Sequence, residues 1–170
     1  MMSQTLFVIG GARSGKSRYA QQRAEATNLP PTFIATAQAF DQEMEDRIAR
    51  HRADRGQQWT TVEAPLDLPA AIASHSNADC VILADCLTLW VTNLLLGGRD
   101  IGIAVNDLTS AIRIAAGPLI VVSNEVGWGI VPDNALAREF RDAAGIVNQR
   151  VAEASDEVQL LAAGLALRMK

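Results

Sequence analysis

The run Gly10-Gly11-Ala12-Arg13-Ser14-Gly15-Lys16-Ser17 has the residue types and spacing of a phosphate cradle, G-x-x-x-x-G-K-[ST]. Glycines let the backbone curl so that successive N–H groups face phosphate oxygens, and the helix that follows adds its positive end. Lys16 is expected to reach the β- and γ-phosphates of a nucleoside triphosphate, and the Ser17 hydroxyl to hold Mg²⁺. A second magnesium ligand is expected at the end of a neighbouring strand. Asp85 follows Val81-Ile82-Leu83-Ala84 and suits that role. It also precedes a helix, so capping is the competing reading. Asp79 lies at the wrong end of the same strand.

His51 is one of two histidines. A lone histidine in a charged helix is more often a surface or capping residue. Here Arg47, Arg50, Arg52 and Arg55 surround it in sequence and could gather phosphates, and a neutral imidazole can attack phosphorus. His75, beside Ser74, Ser76 and Asn77, reads as a solvated surface residue. The segment Asn124 to Pro132 (NEVGWGIVP) follows an apolar strand. It forms either a wall for a large, partly apolar acceptor or a loop folded onto the core or another subunit. No Asn-Lys-x-Asp or Thr-Lys-x-Asp guanine reader and no arginine-rich lid occurs. The residues alone therefore lead to a P-loop phosphotransferase or NTPase and no further.

The elements that must position these groups alternate. Apolar runs predict strands at Leu6–Ile9, Thr32–Ala35, Cys80–Ala84, Leu119–Val122, Val158–Ala162 and Leu165–Met169, and alternation predicts one at Trp59–Glu63. Helical spacing marks Ser17–Ala26, Gln42–Asp54, Leu68–Ser74, Leu87–Leu96, Val105–Ala115 and Asn134–Ala154. Gly97 to Asn106 reads as a surface loop. Alternating elements with nearly all-apolar strands predict an α/β fold. We expect one P-loop NTPase-type, RecA-like domain over residues 1–170, a mainly parallel sheet with helices on both faces and an antiparallel strand near the C-terminus. The chain has 170 residues and a net charge of -4, which argues against a nucleic-acid partner held by a general basic field. No apolar run approaches the roughly 18 residues of a bilayer span. No signal peptide is recognisable, so a cytoplasmic protein is expected. Cys80 and Cys86 read as reduced core thiols.

Together these segments resemble the bifunctional adenosylcobinamide kinase / adenosylcobinamide-phosphate guanylyltransferase family of cobalamin synthesis. The resemblance rests on GGARSGKS at Gly10 to Ser17, FIATA at Phe33 to Ala37, D-x-E-M-x-x-R-I-x-x-H from Asp41 to His51, and W-x-x-x-E at Trp59 to Glu63. DCLTLWVTNLL from Asp85, NEVGWGIVP from Asn124 and FRDAAGIVNQ from Phe140 complete it. It implies two reactions: γ-phosphoryl transfer from ATP or GTP to the hydroxyl of adenosylcobinamide, then transfer of GMP from GTP to the new phosphate through a guanylylated histidine. That histidine is His51 by position, with Lys16 serving the phosphoryl step. Ala35, Thr36, Ala37, Arg52, Ala53, Asp54, Arg55, Glu63 and Asp85 are implied nucleotide contacts beside the phosphate loop. Glu63 could accept hydrogen bonds from guanine N1–H and its amino group. The resemblance also implies a homo-oligomer, a trimer being favoured.

Overall fold

The computed structural model describes residues 4–38 and 42–170, apart from the side chains of Glu43, Arg47, His51 and Asp54. In chain order the elements are β1 (Thr5–Gly10), α1 (Lys16–Glu25), β2 (Pro31–Ala35), α2 (Gln42–Arg55), β3 (Thr60–Glu63), α3 (Leu68–His75), β4 (Val81–Asp85), α4 (Leu87–Leu96), α5 (Ile101–Ile114), β5 (Leu119–Asn124), α6 (Ala135–Ala154), β6 (Glu157–Ala162) and β7 (Leu165–Arg168). The strands form one seven-stranded sheet in the order β3-β2-β4-β5-β1-β6-β7. All pairings are parallel except β6 with β7.

The central strands are buried on both faces, which is why they read as unbroken apolar runs. The pleat still sorts their side chains. Leu6 and Val8 of β1 turn to one face, where they pack with Ala20 and Ala24 of α1 and with Leu83, Ile120 and Val122. Phe7 and Ile9 turn to the other, joining a larger core with Ile72 of α3, Leu87, Trp90 and Val91 of α4, Leu108 of α5 and Val147 of α6. The two helical layers are therefore unequal. α1 is fixed sideways by Arg23, whose guanidinium reaches both carboxylate oxygens of Glu157 on β6 at 2.8 and 2.9 Å.

Most boundaries differ from expectation by no more than a residue or two, and the start of α5 by four. Residues 101–106 are not loop but the opening of α5. The reason is a cap: the Asp100 carboxylate accepts the Ile103 N–H at 2.8 Å, satisfying a donor that the first turn leaves orphaned. Gly102 inside that turn disguises the start. Of the two thiols, Cys86 is buried, but Cys80 is only half-buried and donates toward the His75 carbonyl. No helix among the described residues is long and apolar enough to cross a membrane.

Trp90 anchors the larger core: its side chain is fully buried and its indole N–H reaches the Leu66 carbonyl at 2.8 Å. Trp90→Ala is expected to lower the free energy of unfolding by about 3–5 kcal/mol, read by urea denaturation without nucleotide.

Candidate nucleotide and metal site

Parallel strands deliver their C-terminal ends to one edge of the sheet, and loops there line the ligand crevice of an open α/β sheet. Gly10, Ala35, Glu63, Asp85 and Asn124 are the last residues of β1, β2, β3, β4 and β5. Strand register brings three of them into line: Ala35 pairs with both Glu63 and Asp85.

The loop leaving β1 is shaped by its small residues. A Cβ at Gly10 would stand 2.3 Å from the Leu161 carbonyl oxygen, so nothing larger than glycine passes between β1 and β6. Arg13 and Gly15 take positive φ values of 54° and 96°, curling the loop into the first turn of α1. Gly11, Ala12 and Arg13 are exposed, while Ser14 is buried. Lys16 is only 7% exposed. Its ammonium folds back across the loop, donating to the Gly11 carbonyl at 2.5 Å and to Ser14 Oγ at 3.4 Å. Burial holds its pKa below the ordinary 10.5, with Asp85 and then Cys86 opposing that shift.

Ser17 Oγ donates to Asp85 Oδ2 at 2.9 Å, closing the gap between the loop and the end of β4. The carboxylate thus turns toward the phosphate loop. The N-cap position of α4 falls instead on Cys86, which makes no side-chain cap bond. Two hard oxygens at this spacing suit Mg²⁺, which is held by one or two carboxylate or hydroxyl groups plus substrate phosphates, not by an all-protein cage. Among the described residues no cluster of three His, Cys, Asp or Glu offers such a cage. Ser17 and Asp85 also line an open cleft of about 530 Å³ between α1 and the end of α2, together with Arg18, Arg55, Phe33 and Leu83.

The segments after β2 and in α2 contribute in two ways. Thr36 is fully buried, and its hydroxyl brackets Cys86, donating to that carbonyl at 2.8 Å and accepting its N–H at 2.9 Å. Asn93 of α4 clamps the Thr36 carbonyl at 2.8 Å. The Thr36 side chain therefore positions the Asp85–Cys86 corner, and its neighbours Ala35 and Ala37 are half-buried along the same rim. Arg55 is buried with its guanidinium 3.5 Å from the Phe33 ring centroid, a cation–π contact. Arg52 Nη2 reaches Glu63 Oε1 at 2.6 Å. Both partners of that pair are largely exposed, so it adds little stability. Ala53 is exposed. His51 belongs to α2, but its side chain, like that of Asp54, lies outside the described structure, as does residue 41 at the start of its motif.

Other roles were not legible in the sequence. Asn148 of α6 accepts from Ser123 Oγ at 2.6 Å and donates to the Asn124 carbonyl at 3.2 Å, fastening the end of β5. Only a buried polar residue in an apolar helix face hints at it. The segment after β5 does not fold onto the core: Trp128, Ile130 and Val131 are 79%, 98% and 61% exposed. His75 is half-buried, with Nδ1 2.9 Å from the Ala71 carbonyl.

The buried ammonium has a measurable signature. The unfolded chain holds the Lys16 proton more tightly than the folded one, so stability should rise with pH between the lowered value and 10.5. Lys16→Met is expected to erase that rise in nucleotide-free denaturation curves without lowering stability at neutral pH. It should also cut phosphoryl-transfer turnover by about a hundredfold or more.

Residues 6–169 match the family described as cobinamide kinase / cobinamide phosphate guanyltransferase. The chain is 44% identical over 171 residues to the bifunctional adenosylcobalamin biosynthesis protein CobP of Pseudomonas aeruginosa, covering 96% of this chain and 95% of that protein. It is 42% identical over 181 residues to the bifunctional adenosylcobalamin biosynthesis protein CobU of Salmonella typhimurium, covering 97% and 99%. Among solved structures, an ATPase from the type III secretion system of pathogenic bacteria shares the fold, with a TM-score of 0.55 at 10% identity over 97% of this chain and 56% of that one. A match from the first strand to the last, at such identity to full-length relatives, decides membership: this chain belongs to the cobinamide kinase / cobinamide phosphate guanyltransferase family.

Proposed function

We propose that one nucleotide crevice serves both reactions of a bifunctional enzyme of cobalamin biosynthesis, with the work divided between the phosphate loop and α2. In the kinase reaction, the hydroxyl oxygen of adenosylcobinamide attacks the γ-phosphorus of ATP or GTP, its proton leaves, and the bond to the β-phosphate bridging oxygen breaks. The loop amides and Lys16 steady the β- and γ-phosphates. Ser17 and Asp85 would hold Mg²⁺, whose charge would offset that of the transferring phosphoryl group. The observation that carries this reading is the Ser17–Asp85 contact at 2.9 Å, which pairs the hydroxyl ending the phosphate loop with the carboxylate ending β4.

In the transferase reaction, an imidazole nitrogen of His51 attacks the α-phosphorus of GTP and pyrophosphate leaves. The phosphate of adenosylcobinamide phosphate then takes GMP from His51, giving adenosylcobinamide-GDP and free imidazole. Splitting one transfer into two displacements through a phosphoramidate is ordinary nucleophilic catalysis. Arg55, one helical turn beyond His51, lines the cleft beside Ser17 and Asp85, so its cation is near where pyrophosphate charge would gather. Glu63 reads the guanine edge, with Arg52 steadying its carboxylate. Ala35 to Ala37 and Ala53 to Asp54 border the same nucleotide. The exposed apolar side chains of residues 125–133 offer a surface to the corrinoid or to a neighbouring subunit of a homo-oligomer, for which a trimer is favoured. A cytoplasmic location agrees with substrates of this kind.

The test uses α-labelled GTP and Mg²⁺, followed by denaturation. Acid-labile, alkali-stable label is expected on the protein, and His51→Ala should abolish it while leaving phosphorylation of adenosylcobinamide largely intact. An unlabelled wild type would leave a single-activity small-molecule kinase, and loss of phosphorylation as well would leave a GTP-binding regulatory module. Glu63→Gln is expected to weaken GTP in the labelling reaction by about ten- to a hundredfold, the worth of a charged hydrogen bond, and to leave ATP-driven phosphorylation unchanged.

A further inference from the structure

The antiparallel hairpin of β6 and β7 sits directly against the phosphate loop. Ala162 pairs with Leu165 across a two-residue turn in which Ala163 and Gly164 have φ values of 52° and 77°. Two successive positive φ values define the tight primed turn that matches strand twist. At its tip the Gly164 N–H donates to the Ser14 carbonyl at 2.9 Å. A Cβ placed on Gly15 would stand 3.2 Å from Gly164 Cα, so the two glycines meet backbone to backbone.

We propose that Gly164 is a positioning residue for nucleotide binding, acting through the Ser14–Gly15 peptide. A trans peptide is planar, with its C=O and N–H pointing in opposite directions. Fixing the Ser14 carbonyl on the hairpin therefore aims the Gly15 N–H away from the hairpin, which in the nucleotide reading is the side a phosphate occupies. Without that anchor the peptide is free to rotate, and a phosphate-facing donor is lost. β6 reinforces the arrangement one step earlier, where the Leu161 carbonyl leaves room only for glycine at position 10. The anchor acts on the Ser14–Gly15 peptide, so its influence falls on nucleotide affinity and not on the corrinoid.

This inference rests on the nucleotide reading of the loop, and the experiment separates the two. Replacing the Gly164 amide with an ester, through the α-hydroxy acid analogue of glycine, deletes that one donor and keeps the turn. Titration of wild type and variant with ATP and Mg²⁺ should show a dissociation constant raised about three- to tenfold, with the thermal midpoint and the KM for adenosylcobinamide unchanged. Ala163→Asn, which suits a positive φ and keeps the Gly164 donor, should bind like wild type. An ester variant that binds ATP as wild type does overturns the proposal, as does a loss of affinity matched by an equal loss of folded protein. A wild type that binds no ATP overturns the nucleotide reading itself.

Discussion

A buried ammonium is costly unless something nearby carries negative charge or lone pairs. Lys16 meets that condition through two acceptors of its own loop, with Asp85 facing it from β4. The surrounding structure can be understood as what this arrangement requires. β1 must end in a residue without a side chain, α1 must begin at once, and β4 must finish level with β1 so that its last carboxylate reaches Ser17. The sheet order, with only β5 between β1 and β4, sets that separation.

The two faces of the sheet divide the labour. Four helices cover one face and build the larger core around Trp90 and Phe7. The other is covered by α1 and the end of α2, and the space left between them is the open cleft beside Ser17 and Asp85. Side chains that reach into that space are held from below: Arg55 rests on Phe33, and Phe33 meets Trp59 edge-on at 6.4 Å. Among the described residues, this opening leaves Asp85 at the end of β4 within a ligand's reach.

Much of this was legible in advance, for identifiable reasons. Strands buried on both faces announce themselves by composition, and a phosphate loop by spacing, because backbone curvature leaves so few residue types possible at Gly10 and Gly15. Asp85 stood out in the sequence by its place at a strand end, but the choice of its carboxylate between Ser17 and a helix cap depended on a side-chain direction that no local pattern encodes. The Thr36–Cys86–Asn93 brace joins residues far apart in the chain and leaves no periodic trace. The start of α5 was hidden because one capping hydrogen bond outweighed a glycine in the first turn.

The three tryptophans lie at very different depths: Trp90 is fully enclosed, Trp59 is 8% exposed and Trp128 is 79% exposed. Their indoles therefore emit from three distinct surroundings. Trp59 touches the ring that carries Arg55, so its emission follows the electrostatics at the cleft wall. Trp128 samples whatever covers residues 125–133, and Trp90 serves as an internal standard for the folded core. Single-tryptophan versions of the chain would turn one spectrum into separate optical channels for cleft, surface and core.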